Sequence, residues 1–391
     1  MSTNNGGEHE AKGGSSSRRS FLKIAGLSAA AAGVMALPAG AVALSQSTPP
    51  PRRASTTSGT RIVMLGTAGG PVNMGGPAGV STAITVGERV FVVDLGFGSY
   101  RRLAESGIGG TTPLTNVAGI LFTHLHSDHT ADLPAVWATA DVNNRNRTQA
   151  PIRMIGPGDR ATLGSVFPPN RPEPALTSPE DPTPGIVKMT EHLTRAFAQD
   201  FNDRSRDSNT TPPAQLFEVG DIDLTGVWDV DPAGRPPRLL APIPIWEDSD
   251  VRITATLVDH HPTAPAFAYR FDTPDGSVVI SGDTTVSANL IDLAQDVDYL
   301  VHEVIDVQWV EALAATLAPE VRDAVRQHLI ESHTTIEQVG RDVAEPANAK
   351  NLVLTHYAPD NPKERWQGAK KGYSGNLVVG EDLMKISVSP H

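Results

Sequence analysis

From residue 60 onward the chain alternates short apolar runs with longer stretches in which apolar positions recur at helical spacing. Apolar runs bounded by Gly, Pro, Asn or Asp predict strands. They fall at residues 61–65, 82–86, 89–93, 117–122, 152–155, 251–258, 266–271, 277–280, 299–302 and 352–354. Helical spacing predicts helices over 100–105, 131–141, 190–202, 287–294, 308–316, 320–331 and 335–343. Strands and helices mixed in this way argue a layered α/β domain over residues 60–391.

Residues 167–250 depart from the pattern. They contain Pro168-Pro169 and Pro212-Pro213, with Asp, Asn, Ser and Thr in clusters. This reads as a polar, Pro-rich insertion draped on the core with one helix of its own. It is acidic, with fifteen Asp/Glu against seven Lys/Arg.

The N-terminus reads as an address. Arg18-Arg19 stands in Ser-Arg-Arg-Ser-Phe-Leu-Lys, an uncharged Ala- and Gly-rich stretch spans 24–43, and Ala41-Val42-Ala43 offers a small-x-small cleavage pattern. Residues 1–43 therefore resemble a twin-arginine signal peptide. The expectation is an exported protein, periplasmic or extracellular. The twin-arginine export machinery would be its partner, and no stable membrane anchor would remain after signal removal. Twenty uncharged residues can also just span a bilayer, so a retained anchor is the alternative. Residues 44–59 are polar and Pro-rich and read as a disordered linker.

Charge and cysteine content narrow the chemistry. The chain carries −12, and residues 1–43 contribute +2 of that (four basic, two acidic), leaving −14 on the remainder. Such a surface repels nucleic acids and anionic membranes. There is no cysteine. Disulfides and thiolate metal sites are excluded, and a metal must be held by His, Asp or Glu.

The strongest chemical signal is His124-Leu125-His126-Ser127-Asp128-His129, directly after a predicted buried strand. It puts four candidate metal ligands into one loop. A two-metal site needs ligands from several segments and a carboxylate able to bridge. Three further candidates sit at predicted strand ends: His260, Asp283 and His356. His261 competes with His260. Asp94 ends another strand, where it would either hydrogen-bond a ligand histidine or cap the next helix. The turn Gly66-Thr67-Ala68-Gly69-Gly70-Pro71 lacks the Lys-Ser/Thr of a phosphate loop and suits a close backbone approach to the metals. His192 and His328 fall in helical stretches and read as surface residues.

Taken together these motifs resemble the metallo-β-lactamase superfamily, and within it the ribonuclease Z and arylsulfatase-like branch. The likeness rests on Leu65-Gly66-Thr67, the H-x-H-x-D-H loop, Val258-Asp259-His260 leading to Tyr269-Arg270, Ser281-Gly282-Asp283-Thr284 and Leu354-Thr355-His356-Tyr357. It implies a four-layer αββα sandwich. It assigns His124, His126 and His260 to one metal and Asp128, His129 and His356 to the other, with Asp283 bridging. It also favours His260 over His261. Val301-His302-Glu303-Val304 resembles that branch's HEAT loop, and Ser332-His333-Thr334-Thr335 its HST loop. The resemblance makes His333 the proton donor or electrostatic clamp at the scissile bond, with Glu303 orienting it. The metals would be two Zn2+ ions, although a His/Asp set also accepts Mn2+ or Fe. Two such ions sharing a water lower its pKa toward neutrality and supply the nucleophile.

In the ribonuclease Z branch, a tRNA-gripping arm lies between the ligands corresponding to His260 and Asp283. Only 22 residues separate them here, enough for a hairpin through Asp275-Gly276. The expectation is therefore a small-molecule phosphodiester or sulfate ester as substrate, and no nucleic acid. A lactonase or β-lactamase-type carbonyl hydrolase is the second reading, and a noncatalytic metal-binding protein the third.

Overall fold

The computed structural model describes residues 59–71, 75–145, 147, 149–168 and 171–389. The segments read as signal and linker lie outside the described residues, apart from Gly59. Among the described residues no helix is long and apolar enough to cross a membrane.

Among the described residues fourteen strands form two seven-stranded sheets. The first sheet holds β1 (Arg61–Gly66), β2 (Ser81–Val86), β3 (Arg89–Val93), β4 (Val117–Leu121), β5 (Ile152–Pro157), β6 (Phe217–Ile222) and β14 (Lys385–Ser387), in the order β14-β1-β2-β3-β4-β5-β6. The second holds β7 (Ile243–Glu247), β8 (Arg252–Leu257), β9 (Phe267–Thr273), β10 (Gly276–Ile280), β11 (Tyr299–Ile305), β12 (Asn351–Ala358) and β13 (Asn376–Val379), in reverse numerical order. Each sheet is antiparallel over four neighbouring strands and parallel over the rest.

Alternation along the strands creates the layers. Ile62, Met64, Ile84, Phe91 and Val93 of the first sheet pack with Ile253, Leu257, Tyr269, Phe271, Ile280 and Val301 of the second. Their neighbours Val63, Leu65, Val90 and Val92 point the other way, onto Leu103, Leu133, Val136 and Trp137 from helices. On the far side of the second sheet, Val279, Leu300 and Leu352 meet Leu290, Leu293, Val339 and Val343 from further helices. The result is the expected four-layer αββα arrangement. The central strands are covered on both faces, which is why they read as continuous apolar runs.

Three expectations are corrected. Residues 167–250 hold three helices, Ile186–Ala196, Ala198–Asp207 and Pro213–Leu216, and supply β6 and β7, an outer strand of each sheet. The segment is thus woven into the sandwich. The helix expected at 190–202 breaks at Phe197, which is neither helical nor extended. The helix expected at 335–343 is a short turn of α-helix, Ile336–Gln338, followed by a π-helical stretch, Val339–Ala344.

Candidate metal centre

The strands β8, β10, β11 and β12 run in the same direction, so their C-terminal ends collect at one edge of the second sheet. The C-terminal ends of β3 and β4 do the same in the first sheet. Open α/β sheets bind ligands at such ends. Asp94 follows β3 and His124 follows β4, while His260 lies just beyond β8 and Asp283 just beyond β10.

His356 reaches the cluster by another device. Glu303 pairs with Thr355 and Val304 with Tyr357, so His356 is an extra residue bulged out of β12, with φ 46°. A bulge re-aims a side chain while bending the strand locally. Gly282 has φ 59°, and a Cβ there would come within 2.8 Å of Thr123 and of the Phe267 carbonyl. Only glycine lets the loop bearing Asp283 close on the loop bearing His124. Gly69 and Gly70 pass the cluster as expected of the Gly-rich turn. The Gly70 N–H donates to Asp128 Oδ2 at 2.9 Å, and a Cβ on Gly69 would strike the His356 ring at 2.5 Å.

The ligand atoms of His124, His126 and His260 lie within 4.8 Å of one another, and so do those of Asp128, His129, Asp283 and His356. His126 Nδ1 stands 3.0 Å from His124 Nε2 and 3.2 Å from His260 Nε2. Asp283 Oδ2 lies 3.9 Å from both His124 Nε2 and His260 Nε2, and 3.2 Å from His356 Nε2. Its Oδ1 is 3.3 Å from His129 Nε2. Asp283 therefore faces both groups. His129 Nε2 and Asp283 Oδ1 are buried and make no hydrogen bond. Buried polar atoms without a partner are costly in a folded chain. A set of convergent nitrogens and carboxylate oxygens, without thiolates, suits a divalent metal.

The outer nitrogens fix which ring atom faces inward. His260 Nδ1 donates to the Ser332 carbonyl at 2.8 Å, and His129 Nδ1 to Asp94 Oδ2 at 2.9 Å. His126 Nε2 lies 2.7 Å from Thr263 Oγ1. In the neutral ring each contact leaves the lone pair of the other nitrogen pointing at the cluster. Asp94 thus takes the ligand-orienting role of its two expected alternatives. It also accepts from Thr123 N and Thr123 Oγ1, each at 2.8 Å.

Burial drives the protonation pattern. It pushes the His124 and His260 imidazoles far below the ordinary histidine value, and their neighbouring imidazoles, His129 and His333 respectively among them, act in the same sense. For Asp283 burial acts upward, but the His356 and His129 charges outweigh it and hold the carboxyl well below its usual range. Burial would also lower His333. Glu303, by charge and hydrogen bond, reverses this and raises it to about 9.

His333 is itself drawn into the cluster. Its Nδ1 donates to Glu303 Oε1 at 3.1 Å and lies 4.0 Å from Asp283 Oδ2. Glu303 Oε1 also accepts from Thr284 N at 3.0 Å and Thr334 N at 3.2 Å, so this carboxylate ties both flanking loops together. His261 is left outside. Its Nδ1 turns to Asp259 Oδ1 at 2.7 Å and its Nε2 accepts from Arg235 at 2.9 Å. His192 is exposed and pairs with Asp181. His328, expected at the surface, is half-buried beside Ser332. Thr123, Thr263 and Ser332 were not anticipated as partners of the cluster histidines; Thr123 flanks the histidine loop and Ser332 opens the motif that carries His333, which is the only signal they carry.

A family model described as "Metallo-beta-lactamase superfamily" matches residues 74–328. Ribonuclease Z from Mycobacterium bovis (strain BCG / Pasteur 1173P2) is 30% identical over 336 residues, covering 84% of this chain and 98% of that protein. Ribonuclease Z from Mycolicibacterium gilvum is likewise 30% identical, covering 84% and 96%. Among solved structures, the metallo-beta-lactamase fold protein YhfI from Bacillus subtilis superposes with a TM-score of 0.51 at 15% identity, covering 84% of this chain and 99% of that one. The short form of human tRNase Z gives 0.51 at 17% identity, covering 84% and 99%. At these identities the two structures speak for the fold alone.

Proposed function

This chain belongs to the metallo-β-lactamase superfamily and is a metal-dependent hydrolase of that fold, and from that premise we propose that it cleaves a small phosphodiester or sulfate ester with two divalent ions, zinc by donor chemistry. His124, His126 and His260 would hold one ion, and Asp128, His129 and His356 the other, with Asp283 shared. The metals supply Lewis acidity and an ionised water at neutral pH.

The chain's own contribution is the His333–Glu303 pair, and this observation carries the reading. Glu303 keeps the His333 imidazole charged and aimed, 4.0 Å from the shared carboxylate. A charged imidazole there can give its proton to a departing oxygen. Opening a lactone has less need of such a donor, which argues against a carbonyl hydrolase. The complete donor set argues against a noncatalytic role.

Small substrates are favoured over RNA by two features. The span between His260 and Asp283 is taken up by the β9–β10 hairpin, with no room for an arm. The chain's charge of −12 is a poor grip for phosphates. The near-complete match to proteins named ribonuclease Z supports the opposite reading, so a precursor tRNA belongs in the test. The twin-arginine pattern supports export to the periplasm or beyond.

A panel of p-nitrophenyl phosphodiester, aryl sulfate, lactone and precursor tRNA, assayed with and without chelator, decides between these. Chelator-sensitive turnover of either of the first two is expected. Preferential turnover of the lactone or the RNA would overturn the substrate assignment.

A further inference from the structure

A cavity of about 1070 Å³ lies next to the loop that carries His260. The His261-Pro262 strip, which directly follows His260, lines it. Ser332 ties that strip to the centre: its hydroxyl donates to the His261 carbonyl at 2.6 Å, and its own carbonyl accepts from His260. One wall is Val166, Phe167 and Pro168 from the loop after β5. Another is Val321, Ala324 and Val325 on helix Pro319–Ser332, which ends immediately before His333.

Hydrogen bonds brace the segments around the cavity. Arg160 donates to the Pro262 carbonyl at 2.6 Å and to the Asp231 carbonyl at 2.9 Å, and Ser165 N donates to the Pro232 carbonyl at 3.0 Å. Phe167 and Val321, both in the lining, are left 44% and 43% exposed. Large apolar side chains kept facing one preformed concavity mark a ligand site. Its charged lining cancels, Arg171 and Arg235 against Glu320 and Glu331. Nothing in it selects for net charge.

We infer that this cavity receives the apolar organic substituent of the ester, an aryl group or an alkyl chain, while the ester itself lies at the histidine cluster. The inference rests on the ester-hydrolase reading for its substrate, and on the cavity walls for its specificity. A space of this volume takes a drug-sized group. The preferred substrate is therefore an ester carrying a bulky hydrophobic substituent rather than a methyl or sugar ester.

The test uses the full-length protein, a series of alkyl p-nitrophenyl phosphodiesters from methyl to octyl, and the neutral fluorophore N-phenyl-1-naphthylamine as a binding probe. kcat/KM is expected to rise by up to about fourfold per methylene added. Ala324→Trp fills the cavity. It should flatten the series, cost the octyl ester at least about tenfold, and abolish probe binding. Val321→Asp, on the exposed rim, is the second variant should the Trp variant not fold, and it should weaken the probe. A flat series in the unmodified protein, or probe binding that neither variant disturbs, overturns the inference. Probe binding lost in the variants, with no diester hydrolysed by any form, would uphold the cavity and fell the phosphodiester reading instead.

Discussion

Replacing Asp94 by Asn exchanges one carboxylate oxygen for an NH2 group and changes little else. The residue is 2% exposed and its φ is 62°, a region that Asn tolerates, so the backbone need not move. Three donors converge on the carboxylate: His129 Nδ1 at 2.9 Å, and Thr123 N and Thr123 Oγ1 at 2.8 Å each. An amide has one acceptor oxygen. If that oxygen keeps Thr123 N, the NH2 group faces His129 Nδ1, which must become an acceptor. The ring proton then moves to His129 Nε2, the atom 3.3 Å from Asp283 Oδ1, and the lone pair offered to a metal is lost. If the amide flips, a buried donor meets a donor, at a cost of about 1–3 kcal/mol. Removing such an outer partner typically weakens metal affinity by about 10–100-fold, or roughly 1.4–2.8 kcal/mol. Zinc titration of the metal-free protein against a chromophoric chelator reads this directly, with circular dichroism to show that the fold persists. Zinc affinity equal to that of the unmodified protein would refute the claim that Asp94 sets the His129 tautomer.

Other outcomes follow from the same geometry. His333→Ala should lower turnover by about 10²–10⁴-fold with metal content unchanged; zinc lost together with activity would make His333 a ligand. Asp283→Ala should lower the occupancy of both metals, as read by elemental analysis, since its carboxylate faces both donor groups. Asp306 accepts from Arg365, Asn361 and the Gln308 N–H, and the Arg365 hydrogen bond holds its carboxyl below the usual 3.8. Its stabilisation is present above pH 3.8 and fades as pH falls through the depressed value. Asp306→Asn should therefore cost about 1–3 kcal/mol in denaturant melts at pH 7, and the gap should close in acid. Phe271→Ala, in the apolar layer between the sheets, should cost about 3–5 kcal/mol by the same melts.

The central strands and the seven residues that converge at the cluster were legible in the sequence because both leave local signals. A strand covered on two faces reads as an unbroken apolar run, as Val90-Phe91-Val92-Val93 does. The histidine loop packs four donors into six residues. The outer strands leave no such trace: β6, β7, β13 and β14 are half-exposed, and β7 even carries Pro244, which only an edge position accepts. The break at Phe197 depends on packing that helical periodicity does not record. Thr263 and the Ser332 carbonyl become partners of His126 and His260 only when segments 137 and 72 residues apart meet. The bulge that turns His356 inward is likewise a matter of register between β11 and β12, which a single strand's sequence does not contain.

Four of the seven residues proposed as metal ligands hang from the first sheet and three from the second. The apolar filling between the sheets is consequently a gauge: its thickness sets the spacing between the two halves of the cluster. A side chain trimmed deep in that filling would alter coordination geometry with no change in any ligand, so some loss-of-activity variants should map to positions that never touch the chemistry.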